Sequence, residues 1–224
     1  MNQSSGTSPI AAVAFDLDGL MVNTEELYTE VGGVLLARRG KNVTRELLDN
    51  MMGRQSSAAL QVMIDWHHLD DSVEQLQQET DEIFSGLLEE RLSPMPGLLP
   101  LLDMIEERDL PKAVTTSSRR YFVNRVLELV GIADRFQFFL TAEDIVNGKP
   151  SPEIYQKAAQ AFEIEPAMLL VLEDSEIGCR AAMSAGAYTV AVPGIHSQNH
   201  DFSGVHLVAT SLADPAIDRA LSLS

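Results

Sequence analysis

"IAAVAFDLDGLMVNTEE", residues 10–26, passes from an unbroken apolar hexamer into two aspartates and a glycine before the first helical pattern begins. A continuous apolar run this short fits a strand covered on both faces, as in a parallel sheet. Asp16 and Asp18 stand just past it. Side chains two apart on extended backbone point the same way, so both carboxylates are expected to face one cleft, with Gly19 allowing a sharp exit.

The chain beyond this stretch changes period twice. From 24 to 92 the spacing is helical throughout: Asn23 and Glu26 make a capping-box pattern, Leu27, Val31, Val34 and Leu35 keep helical period, and further helices fit 44–51, 56–67 and 72–91. Two prolines and a glycine in "SPMPGLLPLL" (93–102) then punctuate the chain. Strands are expected at 111–116, 136–140, 168–173 and 188–192, and helices at 121–131, 151–162 and 177–186. Such alternation implies an α/β fold, a doubly wound parallel Rossmann-like sheet, with the helical block inserted after its first strand as a helical-bundle cap. The expected organisation is a flexible tail over 1–9, a core made of 10–22 and 96–224, and a cap over 23–95.

Composition narrows the function classes. A formal net charge of −17 argues against nucleic acid or an anionic membrane as partner, because both are held by clustered Lys and Arg. The apolar runs fall well short of the roughly 18 residues that a membrane span needs. A polar opening, MNQSSGTSP, and a single cysteine, Cys179, lead to the expectation of a cytoplasmic protein without internal disulfides. Any anionic substrate would need local positive charge from a few placed cations or a metal.

In an open parallel sheet, ligands collect outside the carboxyl ends of the strands. There the chain carries Asp16-Leu17-Asp18-Gly19, Thr115-Thr116-Ser117-Ser118 and Glu173-Asp174-Ser175, with Lys149 in "NGKPSPE" before the 151–162 helix. Converging carboxylates repel and raise one another's pKa unless a cation intervenes, and Mg2+, a hard ion that takes oxygen ligands, suits Asp16, Asp174 and Glu173. With such an ion, one carboxylate can act as nucleophile and another as proton carrier, while Thr116 and Lys149 offer a hydroxyl and a fixed charge to phosphate oxygens. Trp66, His67, His68, His196 and His200 read as structural, and Cys179, set among small residues, as a packed thiol.

FDLDG (15–19), TTSS (115–118), GKPSPEIY (148–155) and VLEDSEIG (171–178), in this order and with a helical insertion after the first, resemble the haloacid dehalogenase superfamily, in its subfamily I with an α-helical cap. The resemblance implies Asp16 as a nucleophile that becomes an aspartyl phosphate, and Asp18 as the acid and base. It also implies Thr116, Ser117 and Lys149 around the phosphoryl group, and Mg2+ on Asp16, the Asp18 carbonyl, Glu173 and Asp174. Asp18 argues against the metal-free dehalogenases, which lack the second aspartate. The match is strongest to the branch that holds pseudouridine-5′-phosphatases and β-phosphoglucomutases. Where the mutases carry a cap histidine, and a lysine and arginine in the cap loop, this chain has Tyr28, Met52 and Ser56. Arg54 in that loop is a candidate grip on an anionic substrate.

The expected activity is phosphatase action on a small phosphorylated metabolite, a sugar phosphate or nucleotide-like monophosphate, by a monomer or weak homo-oligomer. A phosphosugar mutase and a non-enzymatic phosphate-sensing module are the alternatives.

Overall fold

The computed structural model describes residues 9–51 and 56–222; the expected tail up to residue 8, and Arg54 with Met52, lie outside the described residues. Two compact units result, one of Met1–Asn23 with Ser93–Ser224 and one of Thr24–Leu92.

The first unit is built on a six-stranded, all-parallel sheet. Its strands are β1 (Ala12–Phe15), β2 (Lys112–Thr115), β3 (Phe138–Leu140), β4 (Leu169–Glu173), β5 (Tyr188–Ala191) and β6 (Leu207–Val208), in the spatial order β3-β2-β1-β4-β5-β6. The chain thus winds outward from β1 in one direction and then returns to build the other half beside it. Ligands of such sheets bind where the winding reverses, beyond the carboxyl ends of β1 and β4.

Every residue of β1, β2 and β4 is buried, which explains the unalternating apolar runs: helices cover both faces. On one face Ala12 and Ala14 of β1 and Leu169 and Val171 of β4 cluster with buried Ile154, Tyr155, Ala158, Ala159, Ala181 and Ala182. Those last six belong to α7 (Glu153–Ala161) and α8 (Glu176–Ala185), helices numbered in chain order. Alanines let the helices approach the sheet closely, and Tyr155 is the bulky side chain among them. Ser175 caps α8 by accepting from Gly178 N at 3.1 Å, and Gly186, at φ 84°, ends it in the left-handed region. The helices α5 (Leu98–Glu107), α6 (Arg120–Val130) and α9 (Pro215–Leu221) complete the unit.

The second unit comprises α1 (Thr24–Ala37), α2 (Arg45–Met51), α3 (Ser56–His67) and α4 (Val73–Arg91). Within it Tyr28 of α1 stacks on Phe84 of α4 with centroids 4.1 Å apart. Arg39 makes a two-toothed bond to Asp71, both contacts at 2.7 Å, and also reaches Glu79. A capping box of Ser72 and Gln75 starts α4. Among the described residues no helix is long and apolar enough to cross a membrane.

Candidate active site at the ends of β1 and β4

Asp16 follows β1 directly, with its backbone N–H donating to Leu172 O of β4 at 3.0 Å, so the sheet fixes it. The carboxylate is buried and accepts from Lys149 Nζ at 2.5 Å. That ammonium also donates to Thr115 O at 3.1 Å and to Glu173 Oε1 at 2.6 Å, so its three protons are directed at β1, β2 and β4. The loop that carries Lys149 is anchored by the first residue of α7: the Glu153 carboxylate accepts from the backbone of Val146 and Asn147 at 2.9 Å each. Bonds from Lys157 and those two amides hold Glu153 down at about 2.

Glu173, the last residue of β4, is fully buried. Its Oε1 accepts from Lys149 Nζ and from Tyr155 Oη, each at 2.6 Å. Its Oε2 accepts from Ser175 Oγ at 3.0 Å and Ser175 N at 3.3 Å. Asp174 beside it is also buried. Carboxylate oxygens of Asp16, Glu173 and Asp174 lie within 4.8 Å of one another. An all-oxygen, anionic, buried donor set of this kind fits a hard divalent cation such as Mg2+. Both oxygens of Glu173 already serve protein donors.

The electrostatics follow from this crowding. Burial is the main influence on Asp16 and pushes its carboxyl up to about 8; Glu173 and Asp18 add to the push, while Lys149 pulls the other way. Burial also drags the Lys149 ammonium down, but Asp16 and Glu173 outweigh it and hold it well above the usual lysine range. An isolated pair would lower its carboxylate, so the two responses differ. The difference arises because burial dominates at Asp16, whereas at Lys149 two carboxylates together outweigh it, which leaves a lysine that keeps its proton beside a raised carboxyl. Burial and Glu173 raise the Tyr155 phenol well above its usual value, so it remains a donor. Cys179 is fully buried and burial pushes its thiol up, which leaves it an inert packing group.

Asp18 has different neighbours. Its Oδ2 accepts from Ser118 Oγ at 2.7 Å and Thr116 Oγ1 at 3.3 Å, in the turn after β2. Gly19, at φ 76°, carries the chain away. The two aspartates therefore divide: Asp16 is tied to the lysine, Asp18 to the hydroxyl turn. Thr116 is buried and Ser117 exposed. Four partners went unassigned in the sequence reading, although all stand inside the quoted motifs: Ser118, Tyr155, Ser175 and Gly178. A Cβ on Gly178 would meet Glu173 Oε1 at 1.9 Å, so this glycine is the seat of the glutamate.

The family model for haloacid dehalogenase-like hydrolases matches residues 13–192. The chain belongs to that family. It is 32% identical over 208 residues to a probable pseudouridine-5′-phosphatase of Drosophila melanogaster, covering 89% of each protein. To a phosphorylated carbohydrates phosphatase of Thermotoga maritima it is 28% identical over 204 residues, covering 91% of this chain and 94% of that protein. Among solved structures, a putative β-phosphoglucomutase from Thermotoga maritima superposes with a TM-score of 0.83 at 25% identity, over 96% of this chain and all of that one. Membership of the hydrolase family, with relatives named as phosphatases, makes this protein a phosphoric monoester hydrolase.

Proposed function

We propose that the protein is a Mg2+-dependent phosphatase that cleaves small phosphorylated metabolites, sugar phosphates or nucleotide-like monophosphates, through an aspartyl phosphate on Asp16. The observation that carries this reading is the buried lysine shared by Asp16 and Glu173 within a three-carboxylate cluster at the reversal point of the sheet. A divalent ion held by Asp16 and Asp174, with Glu173 or the Asp18 carbonyl beside them, would offset that negative charge and neutralise phosphoryl oxygens.

In this reading an Asp16 carboxylate oxygen attacks phosphorus in line, the bond from phosphorus to the ester oxygen breaks, and Asp18 gives its proton to the departing alcohol. Asp18, now a carboxylate, takes a proton from water as that water attacks the phosphorus. The bond from phosphorus to Asp16 then breaks and inorganic phosphate leaves, with both carboxyl groups restored. Lys149 and the Thr116–Ser117 turn hold the transferring group, and the Ser118 hydroxyl steadies Asp18. Placement and charge neutralisation are most of what phosphoryl transfer asks of a protein.

Hydrolysis is preferred to phosphosugar mutation because Tyr28 stands where the mutases carry a histidine, and its ring is stacked on Phe84. Ser56, at a position where those relatives carry a cation, donates instead to Gln77 Oε1 at 2.7 Å. Arg54 is retained as a candidate contact for the anionic substrate.

The test is release of inorganic phosphate from p-nitrophenyl phosphate with Mg2+. Asp16→Asn should abolish it while leaving the circular dichroism spectrum intact. Undiminished turnover in that variant would overturn the reading. A phosphoenzyme that persists without turnover would favour a sensing module, and isomerised sugar phosphate without free phosphate would favour a mutase.

A further inference from the structure

Tyr155 is a phenol placed where the packing asks only for a ring. It is fully buried in a cluster made mostly of alanine, valine and leucine, where phenylalanine would fill the same volume without a polar atom. Its hydroxyl reaches one of the three acceptors of the lysine: Glu173 Oε1 takes Tyr155 Oη and Lys149 Nζ, each at 2.6 Å. The other oxygen of Glu173 is held by Ser175, and Gly178 leaves the space that the carboxylate occupies. The lysine ammonium lies 5.3 Å from the centroid of the same tyrosine ring.

Glu173 is thus clamped from three sides, and its clamped oxygen decides where the ammonium points. A carboxylate oxygen that accepts a second proton donor concentrates less charge on the first, so the phenol both orients Glu173 and loosens its hold on Lys149. The ammonium can then turn from the glutamate toward an incoming anion beside Asp16. We infer that Tyr155 is a positioning residue that acts through Glu173 to keep Lys149 aimed at, and available to, the phosphoryl group. The inference rests on the phosphatase reading for the nature of that group; the clamp itself does not.

Inorganic phosphate is the probe, with its Kd measured by titration calorimetry in Mg2+ for wild type, Tyr155→Phe, Glu173→Gln and the double variant. Tyr155→Phe keeps the ring and should weaken phosphate roughly ten-fold, with KM for p-nitrophenyl phosphate rising in parallel and kcat changing less. In the Glu173→Gln background the same substitution should have little further effect, because the residue through which it acts has changed. A Tyr155→Phe protein with a lower unfolding midpoint but wild-type phosphate Kd and KM would overturn the inference, since a purely structural phenol predicts that pattern. Full additivity of the two substitutions would overturn it too, as would a wild type that binds no phosphate. Wild type that binds phosphate but releases none from the aryl ester would instead refute the phosphatase reading, and the phosphate titrations would still decide the role of Tyr155.

Discussion

Gly178→Ala should destabilise the protein, although the general expectation has the opposite sign. Gly178 lies in the first turn of α8, and replacing a helical glycine by alanine ordinarily gains up to about 1 kcal/mol. Here the added Cβ would meet Glu173 Oε1 at 1.9 Å, its Cδ at 2.0 Å and Oε2 at 2.2 Å. The carboxylate would have to retreat by roughly 1.5 Å to regain an ordinary contact. A free glutamate would swing aside at little cost, but this one is fully buried and bonded to Lys149, Tyr155 and Ser175. Overpacking of a tight interior costs about 1–3 kcal/mol, and each hydrogen bond lost at a charged group about 1.5–3. With one such bond broken and a helical gain of about 1 kcal/mol subtracted, the net loss is about 1.5–5 kcal/mol. Urea unfolding followed by circular dichroism measures it; tryptophan fluorescence is unsuitable because the one tryptophan, Trp66, belongs to the helical unit. Gly33→Ala in α1 and Gly86→Ala in α4, with nothing within 4 Å of the new methyl, are the controls and should be neutral or stabilising. A Gly178→Ala protein as stable as those controls would refute the argument that Glu173 is clamped.

Asp174→Asn should raise the Mg2+ concentration for half-maximal phosphatase activity by about ten-fold or more, whereas a metal requirement equal to wild type would remove Asp174 from the ligand set. At the opposite end of β2, Arg135 and Lys112 bond Glu106 and hold its carboxyl down at about 2 from an ordinary 4.5. A carboxyl lowered in the folded state contributes stability above its unfolded pKa and loses it as pH falls toward the folded value. Glu106→Gln should therefore be less stable than wild type near neutrality, with the difference shrinking as pH falls from 4.5 toward 2; a pH-independent difference in urea midpoint would count against the linkage.

The sheet was legible in the sequence because burial on both faces writes parallel strands as unbroken apolar runs, and IAAVAF, PKAVTT and MLLVLE all contain their strands. β6 escaped notice: two residues at the sheet edge, one exposed, leave no run to detect. The helix Leu98–Glu107 was hidden by the Pro-Gly punctuation around it, although Gly97 at φ 92° is its N-terminal boundary. At the site, residue types and order identified Asp16, Lys149, Glu173 and Asp174 as a group. The sequence could not assign who holds whom. Asp16 and Asp18 lie close enough for the charge of Asp18 to act on Asp16, but which hydroxyls Asp18 would meet, those of Ser118 and Thr116, depended on the turn after β2. Tyr155 and Gly178 serve a carboxylate 18 and 5 positions away, contacts that exist only once α7 and α8 are laid on the sheet.

The junction between the units has a bearing on how the chain is made and how it could diversify. Asn23 and Ser93, where the chain leaves the sheet unit and returns to it, bond to each other twice: Asn23 N donates to Ser93 O at 3.2 Å and Ser93 N to Asn23 Oδ1 at 2.9 Å. Met95 N donating to Met21 O at 2.8 Å extends the closure. Inside the insert, Tyr28 meets Phe84 and Arg39 meets Glu79, so α1 and α4 run antiparallel and bring their outer ends together. Joining two points some 70 residues apart through a disordered loop costs about 2 kcal/mol more than joining them through a tight turn, and an insert that folds by itself removes that excess. The seam is consequently a socket: its closing bonds lie wholly within the sheet unit, so a helical module of another sequence and length whose two ends emerge side by side could stand in place of this one and keep them.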